Sequence, residues 1–94
     1  MDDQNTARAH IFISGRVQGV FFRGTTRQKA RSMDVNGWIR NLRDGRVEAV
    51  FEGPEDQVRS LVNWCHKGPR SARVDSVETD WEVPQGETGF KVRY

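Results

Sequence analysis

Three observations along the chain predict an α+β fold. Five stretches alternate apolar and polar residues with the period of a strand, and two carry apolar residues at helical spacing. Their order is strand, helix, strand, strand, helix, strand, with one short strand appended. The chain has 94 residues, enough for one hydrophobic core and too few for two. Each helix has one apolar stripe and each strand one apolar face, so the economical packing is two layers. This is the split βαβ or ferredoxin-like arrangement, βαββαβ: an antiparallel sheet with two helices on one face and a short extra C-terminal strand.

The elements follow in order. Residues 1–8 read as a flexible N-terminal tail and residues 9–94 as a single domain. From Ala9 to Ser14 the residues alternate, Ile11 and Ile13 on one face, His10, Phe12 and Ser14 on the other. His10 is read as a surface residue of that strand, because nothing near it in sequence orients its ring. A glycine-bearing stretch follows, and then a helix over Phe22 to Ser32, with Phe22, Thr26, Ala30 and Met33 near one face. A second strand runs from Val35 or Asn36 to Leu42. Asp44-Gly45 is a strong hairpin signal, and Arg46 to Glu52 forms the third strand.

With Asp44-Gly45 as a two-residue loop, Leu42 faces Val47, Arg40 faces Ala49 and Trp38 faces Phe51. Opposed residues share a face. Trp38, Leu42, Val47, Ala49 and Phe51 then line the core, and Asn41 joins Ile39, Glu48 and Val50 on the other side. A longer loop with a bulge reverses this parity.

Gly53-Pro54-Glu55-Asp56 is a helix start, with proline at the first helical position and acid in the first turn. Val58, Leu61, Val62 and Cys65 form its apolar stripe, which makes Cys65 a small core residue. His66-Lys67-Gly68-Pro69 ends the helix. A fourth strand starts at Val74 or Val77 and reaches Val83, with Val77, Thr79, Trp81 and Val83 on one face. Phe90, Val92 and Tyr94 alternate in the last strand.

Composition narrows the function. Fifteen basic and 13 acidic residues leave a net charge of +2, interspersed rather than in a cationic run. That argues against a nucleic-acid partner and suits a small anionic substrate. No apolar run approaches the roughly 20 residues of a membrane helix, and the polar start shows no secretory signal. The single Cys65 fits a reducing cytoplasm. Histidine pairs at metal spacing, the Lys-Ser/Thr ending of a nucleotide P-loop and a base to activate Ser14 are all missing.

What remains is the stretch Gly15-Arg16-Val17-Gln18-Gly19-Val20-Phe21-Phe22-Arg23. Glycines at such spacing allow backbone angles that bare several N–H groups on one side of a turn. Such a nest beside a helix N-terminus attracts anions. Arg23 adds a planar fork that grips a phosphate through two bonds. The competing reading is an ordinary strand-to-helix connection with a solvated arginine. An anion cradle, an arginine and a neutral group such as Asn41 suffice for one reaction type. Transfer of a phosphoryl group with a good leaving group depends mainly on positioning and on stabilising charge on its oxygens.

Ser14-Gly15-Arg16-Val17-Gln18-Gly19-Val20-Phe21-Phe22-Arg23 resembles the first signature of the acylphosphatase family. Gly37-Trp38-Ile39-Arg40-Asn41, with Asp44-Gly45-Arg46-Val47-Glu48 after it, resembles the second. The Gly53-Pro54-Glu55 helix start, Gly68-Pro69 and the ending Phe90-Lys91-Val92-Arg93-Tyr94 extend the likeness over nearly all of residues 9–94. The resemblance implies hydrolysis of acyl phosphates, which are carboxyl-phosphate mixed anhydrides, to carboxylate and inorganic phosphate. It implies no metal and no organic cofactor. By motif match, Arg23 binds the phosphate with the backbone amides of Gly15, Arg16, Val17, Gln18, Gly19 and Val20, and Asn41 orients the attacking water. Gly24-Thr25-Thr26 makes the first helix start poor in helix formers, which would loosen the cradle. A free-standing monomer is the expectation. The rivals are a non-catalytic anion-binding or regulatory domain and an RNA-recognition module, which shares the element order. The third strand lacks the aromatic pattern that such a module uses to stack bases.

Overall fold

The computed structural model describes residues 5–94. Its elements are β1 (Thr6–Arg16), α1 (Phe22–Ser32), β2 (Asn36–Asn41), β3 (Val47–Pro54), α2 (Glu55–Cys65), β4 (Arg73–Glu82) and β5 (Phe90–Arg93). They build one five-stranded sheet in the order β4-β1-β3-β2-β5. The two helices lie on one face, α2 over β1 and β3, α1 over β2 and β5. Between the layers sit Ile11 and Ile13 of β1, Ile39 of β2, Ala49 and Phe51 of β3, and Phe90 of β5. Phe22 and Ala30 of α1 and Val58, Leu61 and Cys65 of α2 meet them there, all fully or almost fully buried. Burial pushes the Cys65 thiol pKa up, so it stays a protonated core residue.

Three expectations need correction. The hairpin loop is longer than two residues. Asn41 pairs with Val47 and Ile39 with Ala49. The Leu42 N–H then donates to the Arg46 carbonyl at 2.8 Å, leaving Arg43, Asp44 and Gly45 as the loop. Gly45, at φ 96°, supplies the left-handed residue of a turn closed by a bulge. One extra loop residue flips the parity. Ile39 and Asn41 therefore share the helix-covered face with Val47, Ala49 and Phe51. Trp38 lies on the far side, across from Val50.

The strand β1 begins at Thr6, inside the expected tail. Its pairing continues because Thr6, Ala7 and Arg8 face Pro54, Gly53 and Glu52. Residues 1–4 of that tail lie outside the described residues. The strands β4, β1, β3 and β2 form the expected antiparallel sheet, and the extra C-terminal strand β5 joins its edge parallel to β2. Finally, Pro54 caps α2 instead of occupying its first helical position, with φ −55° and ψ 133°.

The sheet face away from the helices is not simply open. The Arg8 guanidinium reaches Glu52, Glu82 and Glu87. The loop after β4 closes over Glu52, whose carboxylate accepts the N–H groups of Gln85, Gly86 and Glu87. His10 sits between two carboxylates, Nε2 at 2.6 Å from Glu48 and Nδ1 at 3.1 Å from Glu82. Both ring nitrogens face acceptors, so both carry protons in the best-bonded state. Burial opposes that charge, but the hydrogen bonds to Glu48 and Glu82 outweigh it and hold the His10 pKa above its ordinary value. Its stabilisation is thus complete below about pH 6.5 and fades as pH rises through the raised folded value. We expect the unfolding free energy of the wild type from urea titration to fall over that rise relative to His10→Gln, by about 1 kcal/mol or less for a pair that is partly open to solvent. Parallel midpoints for the two proteins from pH 6 to 9 would remove His10 from the stability balance.

Candidate active site

Topology decides what meets what. Both β1 and β2 run antiparallel to β3, which lies between them, so they point the same way. The end of β1, the start of α1 and the end of β2 are therefore gathered at one end of the sheet. As β5 is parallel to β2, its end arrives there too. Ile13, Val47 and Asn41 stand side by side across three strands. Ile13 is buried beneath the helices, so Asn41 points to the helix side, toward the segment leaving β1.

That segment is shaped for exposing amides. Pairing of β1 with β4 shifts register between Ser14 and Gly15. Gly15, at φ 129°, crosses β4 so closely that a Cβ would fall 2.2 Å from the Arg73 carbonyl oxygen. Gly19 is left-handed at φ 73°. Phe21 is left-handed as well, at φ 62°, which costs a residue with a Cβ roughly 1–2 kcal/mol. It stands at the N-cap of α1, where no side chain caps the helix and no acidic residue occupies the first turn. Among the described residues, no turn or cap hydrogen bond takes up the N–H groups of Val17, Gln18, Gly19 or Val20. The other helix differs: α2 begins with Glu55 and Asp56. Of the two helices among the described residues, α1 is the one whose N-terminus presents unneutralised positive dipole to an anion.

A cavity of about 320 Å³ opens at this end, lined by Val17, Gly19, Phe21, Phe22, Arg23, Gly24, Arg27, Asn41, Val92 and Tyr94. Arg23 and Asn41, which lie far apart in sequence, thus share one wall. The half-buried Arg23 guanidinium lies 4.9 Å from the ring centre of Tyr94. Asn41 Oδ1 is buried and has no hydrogen-bond partner. An orphaned acceptor of this kind costs about 1–3 kcal/mol, which marks a place kept for a ligand or water.

Of the six residues whose backbone amides were expected to bind phosphate, Val17 and Gly19 line the cavity. Gly15 lies elsewhere, as do the side chains of Arg16, Gln18 and Val20. Gly15 and Arg16 end β1, paired with Val74 and Arg73. Val20 is buried in the core. Gln18 turns its side chain away to the β2–β3 hairpin. Six residues of the lining were not expected at the site: Phe21, Phe22, Gly24, Arg27, Val92 and Tyr94. Tyr94 was within reach, since it alternates with Phe90 and Val92 on the helix-side face of the last strand. Nothing in the local sequence announces the left-handed Phe21.

A larger hollow, about 960 Å³, lies at the other end of the sheet, lined by Asp34, Glu52, Glu55, Asp56 and Glu87 among others. Its carboxylates repel anions, so sign of charge rather than size picks out the smaller cavity.

Known proteins resemble the chain over almost its whole length. The family model for acylphosphatase matches residues 9–92. The acylphosphatase of Natronomonas pharaonis is 57% identical over 86 residues, spanning 92% of this chain and 94% of the relative. That of Haloarcula marismortui is 58% identical over 87 residues, spanning 93% and 96%. The structure of an acylphosphatase from Coxiella burnetii superposes with a TM-score of 0.90 at 39% identity, covering 95% of this chain and 94% of that one. Sequence likeness over the full length of such relatives and a shared fold lead to one assignment: the chain belongs to the acylphosphatase family.

Proposed function

We propose that the cavity binds the phosphoryl group of an acyl phosphate through Arg23 and the loop amides, while Asn41 orients the water that attacks it. The reaction of the family is hydrolysis of acyl phosphates, so the chain is an enzyme acting on acid anhydrides. The observation that carries the division of roles is the orphaned Asn41 Oδ1 in the same cavity as Arg23. A carboxamide oxygen is a poor base but a good acceptor, and it can hold one water hydrogen while the lone pair faces phosphorus. The leaving carboxylate is a weak base and needs no acid to depart. The phosphoryl oxygens can take the proton from water, so no strong protein base is needed. Attack in line with the breaking P–O bond releases carboxylate and inorganic phosphate without a covalent enzyme intermediate. Arg23, the bared amides of Val17 to Val20 and the N-terminus of α1 stabilise charge on the equatorial oxygens throughout.

The same reading takes residues 9–94 as the catalytic domain, a cytoplasmic monomer using neither metal nor organic cofactor and no nucleic-acid partner. Among the described residues no helix is long and apolar enough to cross a membrane. Hydrolysis of benzoyl phosphate with and without EDTA tests it. We expect turnover that EDTA leaves unchanged. Turnover abolished by EDTA and restored by a divalent cation would overturn the metal-free mechanism. No turnover in a folded protein would favour a non-catalytic anion-binding domain.

A further inference from the structure

We infer that the Gln18 side chain is a positioning residue that fixes Asn41, and hence the water, relative to the phosphate loop. This rests on the water-orienting role proposed for Asn41. Gln18 Nε2 donates to the Leu42 carbonyl at 2.7 Å and to the Arg46 carbonyl at 2.9 Å. Leu42 directly follows Asn41, the last residue of β2, and Arg46 directly precedes its partner Val47, the first residue of β3. The side chain therefore grips the hairpin one residue beyond the Asn41–Val47 pair, on both strands at once. The orientation of the amide is dictated by its partners. Both are carbonyl oxygens, so the NH₂ group, with two hydrogens, must face them.

Each carbonyl already accepts one backbone hydrogen bond, Leu42 from Gly45 and Arg46 from Leu42. Gln18 fills the second lone pair of each, so it is not needed to close the turn. What it adds is a link between segments that are otherwise held apart. With β3 between them, β1 and β2 stand two strand spacings apart, about 10 Å. Among the described residues no backbone hydrogen bond of a turn or loop joins residues 17–21 to the hairpin. An error of about 1 Å between water and phosphorus is enough to cost a large part of the rate.

Gln18→Met tests this, since methionine is unbranched and of similar length but has no N–H. We expect kcat for benzoyl phosphate to fall on the order of tenfold, the equivalent of about 1.4 kcal/mol. Competitive inhibition by inorganic phosphate should stay within about twofold, because the loop amides and Arg23 remain. In an Asn41→Ala background the same substitution should change the residual kcat by less than about twofold, since there is no longer a side chain to position. Gln18→Asn, which keeps the amide but is one methylene too short to reach both carbonyls, should behave as Gln18→Met. Equal losses in both backgrounds, or weakened phosphate inhibition with kcat retained, would overturn the inference. So would loss of turnover in Asn41→Ala with none in either Gln18 variant, an outcome that leaves the role of Asn41 standing. Full turnover in Asn41→Ala would instead overturn that role, and this inference with it.

Discussion

Arg23→Gln is expected to lower kcat/KM for benzoyl phosphate by on the order of 10³-fold or more and to weaken inhibition by inorganic phosphate in parallel. The guanidinium lines the cavity from the first turn of α1, beside the bared amides, while the other lining cation, Arg27, stands one turn further along the helix. Phosphoryl transfer leaves the enzyme little to do except hold charge, and arginine contacts to a transferring phosphoryl group are worth about 10³–10⁵ in rate. Glutamine keeps a donor but loses the charge and the planar fork. The fold should survive, because Arg23 is only half-buried and its recorded side-chain contact is the stacking on Tyr94 at 4.9 Å. An unaltered urea midpoint would therefore accompany the lost activity. Phosphate inhibition equal to wild type would show that the anion sits elsewhere, whatever the turnover.

Asn41→Ala should separate binding from chemistry. We expect inhibition by phosphate to stay within a few-fold of wild type while kcat drops on the order of 10²–10³-fold, the loss typical when a single well-placed polar group aimed at the reacting centre is removed. Stability makes a second, opposite prediction. Wild-type Asn41 buries an acceptor with no partner, and alanine removes that penalty. The variant should thus be at least as stable as the wild type. A group kept at a cost to folding and needed for turnover is the signature of a functional residue rather than a packing one. A large loss of phosphate affinity with kcat retained would assign Asn41 to the cradle. A large loss of stability would make it a structural residue.

The two residues differ in how plainly the chain announces them. Arg23 is legible from its setting: glycines, then a helical stripe starting at Phe22, then an arginine in the first turn. Asn41 is not. Its place on the strand is clear, but which face it takes depends on the number of residues in the turn at Asp44-Gly45. Asp-Gly fits a two-residue loop and, equally, the end of a longer one. The structure uses Arg43, Asp44 and Gly45. That single residue moves Trp38 out of the core and Asn41 to the helix side, where the loop after β1 is.

Charge on the far face shows the same limit. Alternation in β1 and β3 puts Arg8, His10, Glu48 and Glu52 on one side. It does not show that Arg8 and Glu52 would be almost wholly buried, at 6% and 4% exposure. Their burial comes from the loop after β4 folding back over Glu52, a contact between residues more than thirty positions apart.

The sequence by itself determined the order of elements, both helices to within a residue, the apolar stripes that pair them with the sheet, and the glycine-bearing connection with its arginine after β1. These depend on periodicity, glycine and charge over short spans, where neighbours in sequence are neighbours in space. Only the tertiary structure decided the hairpin register, the parallel addition of β5, the meeting of Arg23 with Asn41 and the grip of Gln18 on the hairpin. Each of these is a choice among pairings of nearly equal local energy. It is settled by which arrangement buries Ile39, Ala49, Phe51 and Phe90 together beneath the helices.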